Sequence, residues 1–429
     1  MELFLDAILD PWRWNDQLRV YWPIVAEGVL VSVALGLIGC FLVVRGTSLL
    51  GDALSHSVLP GIVIGFLIGG SLHSPWILVG ATAVGMAAAL LVQSVHGHSR
   101  VKEDASLGIV FTTLFAIGVV MINLFAGQAD LDPGCVLYGN IEHFVLQPEA
   151  IFPMAVILGG IVLGLIVFYR QLLVSTFDPA LAISLGIPAT LIHYLVMAAL
   201  SLTVVTSFEA VGAILAVALL ITPGATARLW TDRMPRMLVL AAAHGVLATL
   251  LGYWLSHEAV LNTSAAGAIS VAGFGLFTMS WLVSPHAGLV TRLVTRRRLL
   301  RTVETENLLK AIDDLSVTGG SVTDQAVAGE LRLAPSHFSA ALARGMADDF
   351  VRRGEGGALT LTDKGRARSR QVKRAHELWE QFLQREVGLG PDHVHDAAEW
   401  IEHHLSQEDV EHLDQTLRQA KDEPRPQKM

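Results

Sequence analysis

Histidine and carboxylate side chains in the last quarter of the chain recur at spacings that suit a metal ion. His376 and Glu380 are four residues apart. A second group follows the pattern i, i+4, i+7, i+8 and consists of His395, Glu399, Glu402 and His403. Residues so spaced share one helical face, and imidazole with carboxylate but without thiolate suits Mn²⁺, Fe²⁺ or Zn²⁺. The alternative is a set of solvated helices on which this spacing arose by chance.

A second candidate pair, Asp52 and His56, stands four residues apart in the apolar first half of the chain. Ionisable side chains at membrane depth are costly unless they are paired or hydrated, so such positions are candidates for function. A carboxylate and an imidazole on one helical face could contact a divalent transition ion. The simpler alternative is a helix start at which Asp52 caps the amino end and His56 bonds a neighbouring backbone group.

The elements that must hold these residues are of two kinds. Of the 429 residues, 52% are apolar and 16% are charged, which excludes an ordinary water-soluble protein. Residues 1–290 hold 9 Lys/Arg and 16 Asp/Glu, whereas residues 291–429 hold 21 and 23. The first region is therefore predicted to lie in lipid and the second in water. The two cysteines supply neither a disulfide framework nor a thiolate metal cluster.

Nine apolar runs in the first region each approach the roughly 20 residues that a helix needs to cross a bilayer. They lie near 22–44, 53–70, 76–95, 107–126, 150–169, 190–208, 210–227, 237–256 and 265–283. The predicted fold is mainly α, with a polytopic helical membrane bundle of about nine transmembrane helices. Glycines such as Gly61 and Gly65 would let these helices approach closely.

Basic residues in alternate connections set the expected orientation, because Lys and Arg in short loops resist translocation. They are Arg45, Arg100, Lys102, Arg170, Arg228, Arg233 and Arg236, followed by a cluster from Arg292 to Arg301. The intervening connections at 127–150 and 256–264 contain no Lys or Arg. This pattern predicts that the carboxyl-terminal third is cytoplasmic and that the amino end lies outside.

The carboxyl-terminal third is predicted to begin with a winged helix-turn-helix. Helices are expected at 303–315, at 321–331 and from Ser336 to about Phe350, where Ser336 would serve as the N-cap. A hairpin is expected at 354–362, where turn glycines precede alternating residues. Three helices followed by a hairpin are typical of that motif.

DNA is one potential partner of this region. The helix from Ser336 would then enter the major groove, with His337 and Arg344 available for contacts. The same helix also carries Asp348 and Asp349. The alternative is a domain that contacts protein and exposes a solvated basic helix, and the near balance of charge in this third favours it.

The predicted organisation comprises six parts. They are an amino-terminal segment (1–20), a transmembrane domain (21–290), a basic juxtamembrane linker (291–302), a winged-helix-like domain (303–370), a helical metal-binding and dimerisation domain (371–420) and a polar tail (421–429). The chain contains no G-x-x-x-x-G-K-[ST] motif and hence no phosphate-binding loop of its own. Work driven by ATP would need a partner.

Five separated blocks resemble the membrane permease of ABC transporters that import manganese, zinc or iron. The blocks are 51–61, 102–108, 137–140, 177–187 and 211–226. The resemblance implies a homo- or heterodimer that takes metal from an extracellular or periplasmic metal-binding protein and is powered by a separate cytoplasmic ABC ATPase. It also implies that the chain is no enzyme and that Asp52 and His56 line the metal pathway.

By the same resemblance, residues 177–187 look like the short cytoplasmic helix that docks into the ATPase. The residues carried over to this role are Phe177, Asp178, Pro179, Leu185 and Gly186. The orientation predicted from the basic residues places this segment inside the cell, which is consistent with the role.

Three later blocks resemble the metal-dependent repressors of the diphtheria toxin repressor family. They are 361–365, 374–380 and 394–406. The resemblance places all six residues of the histidine and carboxylate set at family metal-site positions, and Glu399 matches the manganese type. Asn307 and Lys310 stand where manganese-type members have carboxylates. The resemblance therefore implies a single or weakened metal site in place of a full two-metal centre.

Together these features predict a permease subunit of an ATP-driven importer of divalent transition metal in the bacterial inner membrane. A cytoplasmic metal-responsive, regulator-like domain is fused to it, and manganese, iron or zinc serves as substrate and as regulatory ligand. No nucleotide is expected on this chain. The alternative is a membrane-tethered, metal-dependent transcription regulator. A carrier that works alone is weakened by the scarcity of paired carboxylates at membrane depth.

Overall fold

The computed structural model describes residues 19–71, 74–125, 141, 148–257, 260–317, 322–354, 357–390, 393–403, 405 and 407–422. Contacts divide the chain into two compact units, Met1–Thr291 and Arg292–Met429. The block predicted at 137–140, the first 18 residues and the polar tail after Asp422 lie outside the described residues.

Ten helices are described in the first unit. They are α1 (Arg19–Arg45), α2 (Leu49–Ser57), α3 (Leu59–Gly69), α4 (Pro75–His98), α5 (Glu103–Phe125), α6 (Phe152–Phe177), α7 (Pro179–Ser184), α8 (Ala189–Trp230), α9 (Met234–Ser256) and α10 (Ala265–Val283). Eight helical stretches in the described part are long and apolar enough to cross a membrane, and α8 holds two of them. The predicted polytopic helical bundle is confirmed.

The apolar run predicted at 53–70 is two short helices instead of one span. α2 ends at Ser57 and α3 begins at Leu59, with Val58 in a turn between them. Pro60 lies in the first turn of α3, where its missing N–H is not needed, whereas it could not continue the hydrogen bonding of α2. The expected nine spans therefore become eight long candidates and one short apolar helix among the described residues.

The long helix α8 is interrupted at Gly212, which has a φ of 75° and a ψ of 166°. Glycine reaches positive φ readily because it has no Cβ atom. The interruption lies near the start of the second of two candidate spans in α8, Ala189–Phe208 and Ala210–Trp230, which correspond to two of the predicted runs.

Glycines let α3 and α4 pack with their backbones in contact. A Cβ atom at Gly61 would overlap the backbone of Gly80, and one at Gly65 would overlap the backbone of Trp76 and Ile77. Such close approach gives lipid-embedded helices the packing that replaces a hydrophobic drive. Fully buried side chains in the core of this unit include Leu35, Leu200, Leu215 and Ile269.

The second unit is mainly helical with one small hairpin. Its elements are α11 (Leu289–Val317), α12 (Asp324–Leu331), α13 (Pro335–Ala347), β1 (Val351–Arg353), β2 (Leu359–Leu361), α14 (Asp363–Phe382), α15 (His395–Ile401) and α16 (Gln407–Asp422). α11 begins just before the unit boundary and continues through the basic stretch predicted as a linker. The three helices and the hairpin expected of a winged helix-turn-helix are present in that order, and the motif itself stays a prediction.

The hairpin and α13 differ in detail from the expected bounds. β1 and β2 are antiparallel, and Val351 pairs with Leu361. α13 starts at Pro335 with Ala334 as its N-cap, so Ser336 lies inside the helix. Proline at the first helical position is favoured because its φ is already helical. The N–H that it lacks would have no partner within the helix at that position.

Two small cores hold this unit together. Leu308 and Ile312 of α11, Phe338 of α13, and Val351 and Leu359 of the hairpin are buried in one of them. The other is formed by α14 and α16, and its buried members are Ala375, Leu378, Val410, Leu413 and Leu417. α14 therefore has one face packed against α16.

Candidate functional site

Three of the six predicted metal ligands converge in the second unit. α14 is capped by Thr362, whose Oγ1 accepts a hydrogen bond from the Gly365 N–H at 3.0 Å, and the helix carries His376 and Glu380 one turn apart. His395 begins α15. His376 Nε2 lies 3.0 Å from Glu380 Oε1 and 3.1 Å from His395 Nδ1, and His395 Nδ1 lies 3.0 Å from Glu380 Oε1.

This triangle fits one divalent transition ion. Donor atoms held at right angles about 2.1 Å from an ion lie about 3 Å from each other, which matches all three separations. Two nitrogens and one carboxylate oxygen suit Mn²⁺, Fe²⁺ or Zn²⁺. His395 is exposed, whereas His376 and Glu380 are partly buried, so solvent could supply the remaining ligands. Within the described residues this is the one group of His, Cys, Asp and Glu side chains with such geometry.

Glu402 forms a hydrogen bond with His376 but is not itself part of the triangle. Its Oε2 accepts a hydrogen bond from His376 Nδ1 at 2.6 Å, and its Oε1 accepts one from Lys310 Nζ at 2.7 Å. The carboxylate is fully buried. A proton fixed on Nδ1 leaves the lone pair of His376 Nε2 free for a metal ion, which is the usual role of a carboxylate behind a ligating histidine.

The charges of the cluster stabilise one another. The hydrogen bond with Glu402 raises the pKa of His376, and this outweighs the opposing effect of burial. Burial raises the pKa of Glu402, but the hydrogen bonds from His376 and Lys310 outweigh it, so the net shift of that pKa is downward. The hydrogen bond with His395 lowers the pKa of Glu380 despite some desolvation. An ion bound here therefore competes with a proton for Nε2 of His376, while Nδ1 keeps its hydrogen bond with Glu402.

A second ion position does not fit the residues present. His403 Nδ1 donates to Glu306 Oε2 at 2.6 Å with both side chains buried, and Arg368 Nε donates to Glu306 Oε1 at 2.9 Å. Glu399 is exposed. The ammonium group of Lys310 already neutralises Glu402, so Glu402 and His403 belong to a network of protein ion pairs. Both the helical spacing and the family resemblance had grouped them with the ligands.

The residues proposed to contact DNA are held by an acidic side chain of their own unit. Glu304 Oε1 accepts a hydrogen bond from His337 Nδ1 at 2.9 Å, and Glu304 Oε2 accepts one from Arg344 Nη2 at 2.6 Å. Ser336 is exposed at the start of α13. Two of the three candidates are thus engaged within the domain.

The predicted ATPase-docking segment, residues 177–187, contains the short capped helix α7 and exposes several apolar side chains. Asp178 Oδ1 accepts a hydrogen bond from the Leu181 N–H at 2.9 Å, and Pro179 is the first helical residue. Gly186 ends the segment at a φ of 76°. Exposed apolar residues of this segment are Phe177, Leu181, Ile183 and Leu185.

The predicted pathway pair lies on α2, which the break at Val58 separates from α3. Asp52 and His56 are one helical turn apart, and the Asp52 side chain lies outside the described residues. The His56 ring lies 6.2 Å from the Phe111 ring and 5.7 Å from the Phe115 ring of α5, measured between centroids. The imidazole therefore lies beside two aromatic side chains of α5.

Three ionisable residues of the first unit did not stand out as functional in the sequence. Glu27 and His244 are buried inside candidate spans. Arg45 ends α1, and the sequence indicated only its value for orientation. An ionisable residue within an apolar run was the signal that could have identified all three.

An apolar helical bundle joined to a charged helical unit, in which three side chains could hold a metal ion, is typical of a multi-pass membrane protein with a metal-binding domain. The chain belongs to the ABC 3 transport family, which matches residues 18–284. Residues 362–429 match the metal binding and dimerisation domain of iron dependent repressors. Both resemblances seen in the sequence are confirmed, and the chain is a permease subunit instead of an enzyme.

Several individual proteins are similar to this chain over most of their own length. The manganese transport system membrane protein MntD of Bacillus subtilis is 42% identical over 279 residues, which are 63% of this chain and 94% of that protein. MntC of the same organism, also named a manganese transport system membrane protein, is 31% identical over 385 residues, covering 88% of this chain and 87% of the relative. The solved structure of PsaBC from Streptococcus pneumoniae in complex with Fab gives a TM-score of 0.56 at 30% identity over 69% of this chain and 99% of the matched chain.

Proposed function

We propose that this permease carries manganese into the cell and that the metal cluster of its second unit adjusts the rate. Relatives named for manganese transport support the cargo, since one of them is matched over 94% of its length. The cargo leaves an external metal-binding protein, passes along the permease dimer and is driven by a cytoplasmic ATPase. Asp52 and His56 contact the ion on the way.

The observation that carries the regulatory half is the triangle of His376, Glu380 and His395. Its donor atoms lie 3.0 to 3.1 Å apart, and the cluster stands on the same chain as the permease. An ion that binds one conformer of the second unit better than another shifts the population toward that conformer. Metal that accumulates in the cytoplasm would thereby reduce further uptake.

A tethered transcription regulator is the second candidate, and the charges of α13 argue against it. Affinity for DNA comes largely from cations that are free to neutralise phosphates. Glu304 forms a hydrogen bond with His337 and an ion pair with Arg344, and Arg353 forms an ion pair with Asp324 at 2.7 Å. These three basic residues have partners within the fold, which favours sensing over DNA binding.

Transport can be tested with the full chain and its copurifying ATPase in sealed vesicles. We expect ATP-dependent accumulation of Mn²⁺, measured with Zn²⁺ and Fe²⁺ in parallel. Uptake of Zn²⁺ or Fe²⁺ in preference to Mn²⁺ would correct the cargo. An absence of nucleotide-driven accumulation of all three ions would reject the transport proposal itself.

A further inference from the structure

Arg45, the last residue of α1, joins both ends of the docking segment through its guanidinium group. Its Nη2 and Nε donate to Thr176 Oγ1 at 3.0 and 3.3 Å. Its Nη1 lies 3.4 Å from Nδ1 of His193. Thr176 immediately precedes the segment at Phe177, and His193 follows it near the start of α8. One side chain therefore connects α1 to α6 and α8, the two helices that flank the docking segment.

The turn that follows Arg45 is hydrogen-bonded to the end of α1 and to the start of α2, where the Leu50 N–H donates to the Thr47 carbonyl at 3.0 Å. The Gly46 N–H donates to the Val43 carbonyl at 3.3 Å, and the Thr47 N–H donates to the Leu42 carbonyl at 3.0 Å. Gly46 has a φ of 73°, which glycine adopts without strain. Only three residues then separate Arg45 from α2, the helix on which Asp52 and His56 stand. A displacement of the guanidinium would be passed directly to that helix.

A second contact extends the same network to α4. Tyr194, next to His193, donates from its hydroxyl to Gln93 Oε1 at 2.7 Å. The rings of His193 and Tyr194 are edge to face with centroids 5.6 Å apart. The carboxyl side of the docking segment is thus hydrogen-bonded to α1 and α4, and its amino side is hydrogen-bonded to α1 through Thr176. Arg45 therefore forms polar contacts on both flanks of the segment.

We propose that Arg45 is the positioning residue that transmits movement of the docking segment to the pathway helix α2. The inference rests on the proposed function, because it assumes that an ATPase moves the docking segment. Arginine is suited to the task, since its planar fork binds two partners in a fixed geometry and keeps its charge. Lysine would keep the charge but lose the fork.

The test measures Mn²⁺ transported per ATP hydrolysed by the full chain with its copurifying ATPase in vesicles. Arg45→Lys and Thr176→Val each remove the bidentate contact, and Thr176→Val does so at nearly constant volume. We expect both variants to lower the transport ratio about tenfold, the usual effect of losing hydrogen bonds to a charged group, while ATPase association and hydrolysis persist. Arg170→Gln on the exposed side of α6 is the matched control and should leave the ratio unchanged.

The outcomes separate this inference from the proposal beneath it. A wild-type ratio in Arg45→Lys and Thr176→Val would overturn the role of Arg45 and leave transport intact. Loss of ATPase association in those variants would also overturn it, because Arg45 would then shape the docking surface instead of transmitting its movement. A wild-type chain without ATP-driven transport would reject the proposed function before Arg45 is reached.

Discussion

At the scale of single residues, the sequence indicated which side chains gather but not how they pair. Helical spacing placed Glu402 among the candidate ligands, whereas in the structure it forms a hydrogen bond with His376 outside the triangle of His376, Glu380 and His395. The spacing could not show that Lys310, 92 residues before Glu402, would contact that carboxylate. The resemblance had flagged Lys310 as a departure, and the ion pair supplies the physical meaning of that departure. A side chain that occupies a carboxylate is recognised only once the fold brings the two together.

Removing the Lys310 ammonium separates its structural role from its role in metal stoichiometry. Lys310→Met leaves the buried Glu402 carboxylate without one partner and should lower the free energy of unfolding of the second unit by about 3 kcal/mol. Lys310→Glu instead places two carboxylates together and should raise the Mn²⁺ content by one ion per chain. Metal analysis after gel filtration, with wild type and His395→Ala alongside, gives the count. An unchanged count in Lys310→Glu would show that the lysine does not exclude a second ion.

Glu304 gives the second unit a measurable dependence on pH. Burial raises the pKa of Glu304, but hydrogen bonds from His337 and Arg344 outweigh it, so its pKa is lowered in the folded state. Its contribution to stability is complete above the usual carboxyl range and is lost as the pH falls through the lowered value. Glu304→Gln should lower stability by about 1 kcal/mol at neutral pH. Thermal unfolding of the two proteins should converge at acidic pH, and a constant difference down to acid would contradict the assignment.

At the scale of elements, the apolar runs predicted the helices and the break within one of them escaped notice. The run at 53–70 reads as continuous because hydropathy does not register that Pro60 lacks a backbone donor. Gly212 interrupts α8 just inside the run predicted at 210–227, a few residues after the gap between the two runs. The hairpin was expected at 354–362, whereas its first strand, Val351–Arg353, precedes the turn glycines that gave the signal.

Binding of the ATPase to helix α7 can be tested at one exposed residue. Ile183 is exposed on it, whereas Ala182 is buried. An aspartate in an apolar interface leaves an unpaired charge, so Ile183→Asp should weaken binding of the ATPase at least about tenfold. Copurification and ATP-dependent uptake measure the effect, and Ile183→Leu is the conservative control. Normal copurification of Ile183→Asp would place the ATPase elsewhere on the permease.

At the scale of the whole molecule, composition alone separated the two units. The change in charge density after residue 290 agrees with the boundary at Thr291. Residue periodicity does not show how the two units are related in function. That relationship depends on whether metal bound by His376, Glu380 and His395 alters transport.

A chain truncated after Arg298 tests that relationship. The MntD relative is matched over 94% of its length by 63% of this chain, so a permease of the shorter length is expected to fold. We expect ATP-dependent Mn²⁺ uptake to persist and its inhibition by cytoplasmic metal to disappear. His395→Ala in the full chain should reproduce the loss of inhibition, and the exposed His412→Ala is its control. Inhibition that survives truncation would place the sensor in the membrane unit.

The lysine beside Glu402 has a consequence for physiology. A sensor that accepts a single ion per chain fills hyperbolically as free metal rises, and it lacks the abrupt threshold that two linked occupancies can create. Metal uptake by such a permease would decrease gradually as cytoplasmic metal rises, and cells that carry it would regulate their intake over a broad range of supply.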